Sequence, residues 1–172
     1  MSAPAGPDDR LIAFGRELIA IHRWLRADLR RLRRDTEAHL DGRTTRRPRE
    51  LAAHCLSFCA ALTAHHEGED RGAFPELAAE FPELRPVIAK LVEDHQMVSE
   101  IQGNLERLLG GISERPDEAE ARRVRGELDG LSALLDSHFA FEERRIAAAL
   151  DRLSPAAGTV EELLGIRVGD TG

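Results

Sequence analysis

Two stretches of this chain pair a histidine with a carboxylate four residues on: His65-His66-Glu67-Gly68-Glu69-Asp70 and His138-Phe139-Ala140-Phe141-Glu142-Glu143. Four residues is just over one helical turn, so each pair projects side by side from a helix face and can hold a cation between imidazole and carboxylate. His22 and His95 stand singly in two further helical stretches. One histidine-bearing face on each of four helices constrains the fold strongly, because four such faces meet inside a bundle.

The apolar period supports four helices. Leu11, Phe14, Leu18, Ile21, Leu25, Leu29 and Leu32 follow three- and four-residue steps in a first helix that opens after Pro7-Asp8-Asp9 and breaks at Asp41-Gly42-Arg43-Thr44-Thr45. Pro48 opens a second helix along Leu51, Cys55, Phe58, Leu62, His65 and Glu69, with Gly72 and Phe74-Pro75 as its expected stop and a turn-rich connection from Pro75 to Pro82. A third runs from between Pro82 and Pro86 through Val87, Leu91, His95, Val98, Ile101, Leu105 and Leu108 to Gly110-Gly111. The fourth starts at Asp117 or Glu118 and carries Val124, Leu128, Leu131, Leu135, His138, Glu142, Ile146 and Leu150. Short connections make these helices antiparallel neighbours, so the expected fold is all-α, an up-down-up-down four-helix bundle over residues 8–152. Residues 153–172 form a tail whose one amphipathic piece, from Val160 to Ile166, is too short to be a stable helix alone. No internal repeat is evident beyond the two histidine-plus-carboxylate patterns.

Composition narrows the function classes. The chain has 172 residues, 42% hydrophobic but only 4% aromatic, which suits one domain with an aliphatic core. A formal charge of -7 argues against general nucleic-acid binding. Residues 23–49 nevertheless hold ten arginines against Asp28, Asp35, Glu37 and Asp41, a solvated face that also offers an acidic protein partner a dock. No apolar run has membrane-spanning length and the N-terminus lacks signal-peptide regions, so a soluble cytoplasmic protein is expected. Cys55 and Cys59, four apart on one helix, read as buried small hydrophobes, with a redox-active pair as the sharper alternative.

His95 sits between Leu91 and Val98, and His138 and Glu142 continue the line of Leu131 and Leu135, so these polar groups face the bundle axis. A single core histidine is ordinarily satisfied by a hydrogen bond. Four of them with two carboxylates, costly to bury unless paired or bound to a cation, point to metal. Imidazole and carboxylate without thiolate suit iron, manganese or zinc, and six or more ligands suit two ions bridged by carboxylates, for which di-iron is the leading choice.

With His22, His65, Glu69, Asp70, Phe74-Pro75, Glu93-Asp94-His95, His138, Glu142 and Glu143 in this order and spacing, nearly the whole chain resembles the hemerythrin-like proteins with an HHE cation-binding domain. The resemblance implies an antiparallel four-helix bundle around a non-haem di-iron centre that reacts with O2, hydrogen peroxide or nitric oxide. It makes His22, His65, His95 and His138 ligands, with Glu69 and Glu142 bridging. Two choices stay open: His66 with Asp70 in place of His65 with Glu69, and Glu143 in place of Glu142.

Oxygen-carrying hemerythrins place two histidines four apart in the third helix, whereas Leu91 and Ser99 flank His95 here. The expectation is a site one imidazole short, suited to peroxide or O2 chemistry rather than reversible carriage, with catalase-like decomposition as the reaction if the protein is an enzyme. An oxygen, redox or iron sensor acting through a protein partner, by way of the Arg-rich helix or the tail, is the alternative. The absence of tyrosine excludes a tyrosyl radical or phenolate ligand. His39 and His54 read as surface or structural groups, Trp24 as packing at a helix interface, and Glu67 and Asp94 either as acceptors for ligand imidazoles or as solvated surface carboxylates.

Overall fold

The three- and four-residue apolar steps resolve into four long helices. The computed structural model describes residues 13–43 and 46–169, and every regular element among them is helical: α1 (Phe14–Leu40), α2 (Pro48–Gly68), α3 (Phe74–Glu80), α4 (Arg85–Gly110), α5 (Glu118–Asp151) and α6 (Val160–Leu164). The expected helix opening at Pro7-Asp8-Asp9 with Leu11, the domain boundary at residue 8 and the break at Thr44-Thr45 lie outside the described residues. Helices α1, α2, α4 and α5 form the bundle, each packed against two of the others.

Side-chain cross-links show that the neighbours run antiparallel. The Gly15 N–H donates to Asp151 at one end of the α1–α5 pair, and Arg125 reaches Glu37 and Asp41 at the other. Gln102 donates to the Cys59 carbonyl across α2 and α4, and Asn104 to Glu127 across α4 and α5. Leu25, Leu32, Phe58, Leu62, Leu91, Val98, Leu105, Leu131 and Leu135 fill the interior, the aliphatic core that the composition implies.

Helix starts follow their local signals. Pro48 occupies the first turn of α2, and the Asp117 side chain caps α5 by accepting from the Glu120 N–H at 2.8 Å. The expected stop at Gly72 and Phe74-Pro75 is not one. The chain stays helical to Glu80 through a π-helical turn, Glu69–Ala73, closed by the Phe74 N–H on the Glu69 carbonyl. That wider turn gives room to the ring of Pro75, which has no N–H and would otherwise crowd the preceding turn.

Trp24 also differs from expectation: it is 37% exposed on the outer side of α1, in a groove shared with Arg23, Arg167 and Val168. The Nε2–H of His39 donates to the Ser113 carbonyl at 2.8 Å, and His54 Nε2 bonds Asp28. Both are structural. Several arginines of the basic stretch pair within the fold, Arg26 with Glu143, Arg31 with Asp28 and Arg33 with Asp129. No helix among the described residues is long and apolar enough to cross a membrane.

Candidate metal centre

Adjacent residues of a helix lie 100° apart around its axis, so a residue four further on falls at about 40°, between the first two. Helix α2 packs between α1 and α4. His65 accordingly faces His22 of α1, His66 faces His95 of α4, and Glu69 stands between them. On α5 the same arithmetic places Glu142 between His138 and Phe139. The structure therefore brings together every residue of the expected ligand set, and His66 as well.

Two buried clusters result, His66 with Glu69, His95 and His138, and His22 with His65, Glu69 and Glu142, the potential ligand atoms of each lying within 4.8 Å of one another. The Oε1 of Glu69 lies 3.1 Å from His65 Nε2, and its Oε2 lies 3.2 Å from His95 Nε2. Glu142 spans the clusters too, Oε2 at 3.2 Å from His138 Nε2 and Oε1 at 3.7 Å from His22 Nε2. The Nε2 atoms of His22 and His65 face each other at 3.2 Å, near the roughly 3 Å that separates two nitrogens bound at right angles about 2.1 Å from one ion.

The donor atoms fit a metal. The Nε2 atoms of His66, His95 and His138 and all four carboxylate oxygens of Glu69 and Glu142 are buried without a hydrogen-bond partner. Such atoms are destabilising unless something satisfies them, and this nitrogen-and-oxygen set suits iron, manganese or zinc. Burial, reinforced by the neighbouring Glu142, holds the Glu69 carboxyl well above its usual range. Burial pushes Glu142 the same way, but its contacts with Glu69 and His138 outweigh that and hold it well below. Burial, with His22 nearby, drives His65 down to about 3, and burial beside His95 holds His66 well below its usual value. Both rings are kept neutral, the form that binds metal.

The open choices in the ligand set take a form the sequence did not suggest. His66 does not replace His65; both point inward, and Asp70 lies outside, accepting from His95 Nδ1 at 2.8 Å. Glu143 likewise accepts from His22 Nδ1 at 2.9 Å while Glu142 points inward. The site is thus not one imidazole short: the fifth comes from α2 instead of α4. Of the two readings open for Asp94 and Glu67, Asp94 takes the first, accepting from His138 Nδ1 at 3.1 Å, and Glu67 the second, being exposed. Hydrogen bonds of this kind fix the tautomer and direct Nε2 inward.

An internal repeat, not expected from the two motifs, organises all this. His95 follows His22 by 73 residues, and His138 follows His65 by the same interval. At that offset Glu69 matches Glu142, Asp70 matches Glu143, Leu62 matches Leu135 and Leu25 matches Val98. The contacts match as well: His66 stacks on His95 at 3.8 Å between ring centroids, and Phe139 stacks on His22 at 4.0 Å. Phe139 holds the place where a sixth histidine would stand.

Leu164 is the participant that sequence reasoning missed, its carbonyl accepting from His65 Nδ1 at 2.8 Å. A backbone acceptor leaves no trace in residue type. A cavity of about 230 Å³ lined by Thr63, His66, Asp70, His95 and Gln102 reaches the imidazoles between α2 and α4. Cys55 and Cys59 are buried and free, their sulfurs 4.0 Å apart.

No curated protein and no solved structure gives a significant match to this chain. Its residues 15–150, however, match the hemerythrin HHE cation-binding domain, and the two buried histidine and glutamate clusters are of a kind that could hold a metal ion. The chain belongs to the hemerythrin family.

Proposed function

We propose that this is a non-haem di-iron protein that reacts with O2, hydrogen peroxide or nitric oxide, with peroxide decomposition as its principal activity. One iron would be held by His66, His95 and His138, the other by His22 and His65, with Glu69 and Glu142 bridging. The observation that carries this reading is the position of Glu69, a buried carboxylate that belongs to both clusters. Iron in such a donor set supplies a redox couple that exchanges electrons with O2 or peroxide.

The chain's own residues suit that chemistry. Asp70, Asp94 and Glu143 hold Nδ1 protons of His95, His138 and His22 and so aim each Nε2 inward. Phe139 and Phe74 stack against His22 and His95 and exclude water. The cavity beside His66 and His95 offers a small molecule a way in. Since Phe139 provides no donor, an iron held by the two-histidine cluster would have one protein ligand fewer than its neighbour. Disproportionation turns two hydrogen peroxide molecules into one O2 and two waters, one peroxide oxidised and the other reduced, without an external reductant.

The test is iron content per chain together with O2 release on adding hydrogen peroxide. About two irons and catalytic O2 evolution support the reading, and a chain that takes up no iron sinks it. A second reading, an iron or redox sensor acting through a protein partner, is favoured by the tail that packs directly on the His65 helix. Two irons without turnover would select it.

A further inference from the structure

The tail carries an inference that rests on the di-iron reading and extends it. The 73-residue repeat pairs Asp70 and Glu143, the acceptors behind His95 and His22, but not the acceptors behind His138 and His65. His138 is backed by Asp94, the residue before His95. The matching residue before His22 is Ile21, which has no acceptor to offer His65. The Leu164 carbonyl takes that role.

The docking of this segment is built into the backbone. Gly165 has φ +81, and a Cβ there would lie 1.8 Å from the Ala64 carbonyl oxygen. A Cβ on Gly68 would lie 2.2 Å from the Gly165 Cα, and one on Gly72 would lie 2.2 Å from the Glu162 carbonyl oxygen. In the other half the matching positions are Phe141 and Arg145, so no such groove for a chain segment is repeated there. Val160, Leu163 and Leu164 are buried, and Thr159 and Glu162 cap the helix reciprocally. With five residues, α6 is too short to persist without these contacts.

We propose that residues 160–165 are a strap that completes the two-histidine half of the metal centre, and that strap docking and cation binding there reinforce each other. The docked carbonyl holds the His65 Nδ1 proton and leaves Nε2 free for the ion; an ion at Nε2 in turn requires that tautomer and so favours the docked strap. Linkage makes the effect mutual. The C-terminal segment thereby reports whether the centre is loaded.

Amide hydrogen exchange on the full-length wild-type chain, metal-free and iron-loaded, tests this directly. Exchange at residues 160–165 is expected to slow on loading by more than it does at residues 118–128, at the far end of α5. The Gly165→Ala chain should keep its helical content and one iron per chain, and hold the second about 10- to 100-fold more weakly, the range seen when a ligand loses its supporting hydrogen bond. Equal strap exchange in the metal-free and loaded wild-type chain overturns the proposal, whether or not the variant folds. So does a Gly165→Ala chain whose strap exchanges faster yet holds both irons with wild-type affinity. Those outcomes leave the di-iron reading intact, whereas a wild-type chain without iron defeats both.

Discussion

The hairpin of α1 and α2 and the hairpin of α4 and α5 present the same inner surface with one imidazole exchanged for a benzene ring. Where α2 offers His66 to His95, α5 offers Phe139 to His22, at nearly the same stacking distance. The outer support differs too, a carboxylate from Asp94 behind His138 and a backbone carbonyl from Leu164 behind His65. The difference teaches that symmetric packing of two helical hairpins need not give two equivalent clusters of donors. One substitution at a ring that stacks on its opposite histidine is enough to make one cluster richer in imidazole than the other.

Removing what the halves share should have the largest effect. Glu69→Ala takes a ligand from both clusters, so metal analysis should show both irons lost, rather than one. Restoring what they do not share is the next step: Phe139→His supplies the sixth imidazole. The iron-loaded variant should retain two irons while its visible spectrum no longer responds to azide; an unchanged azide response would mean that Phe139 does not border the reactive position.

Matched core positions should instead behave alike. Leu62→Ala and Leu135→Ala each empty a buried site at equivalent places in the two hairpins, and chemical denaturation should show a loss of about 2–5 kcal/mol for each. A loss confined to one would show that the hairpins pack unequally.

The smallest effect concerns protons in the metal-free protein. Burial and His22 take His65 down to about 3; burial also lowers His138, but Glu142 and Asp94 outweigh it and leave that group above its ordinary value. The depressed His65 contributes stability above about pH 6.5 that is lost as pH falls towards 3, because the unfolded chain takes the proton first. His138 contributes stability below about pH 6.5 that is lost as pH rises through its raised value. The two slopes partly offset, so imidazole NMR titration should separate the pair more clearly than a stability profile. Titration of both rings together would contradict the contrast in their supports.

Much of this was legible in residue spacing. The period of Leu18, Ile21, Leu25 and Leu29, and of Leu128, Leu131 and Leu135, specifies amphipathic helices, and a histidine on each stripe specifies that imidazoles meet inside the bundle. Periodicity resolves a face but not its two edges, which is why His65 and His66 read as alternatives. Because α2 has a neighbour on either side, each edge found its own partner. Likewise Pro75 reads as a stop from its own chemistry, and only the wider turn beginning at Glu69 let the helix continue.

By itself, then, the sequence determined four amphipathic helices and the donor types that would meet at their centre, since both depend on side-chain identity at fixed helical intervals. Tertiary structure alone decided which oxygen faces which nitrogen, that Asp70 and Glu143 stand behind imidazoles rather than beside them, and that the Leu164 carbonyl supports His65. The reason is physical: every residue carries a carbonyl, so its use as an acceptor is set by where the chain returns in space and not by which side chain it bears.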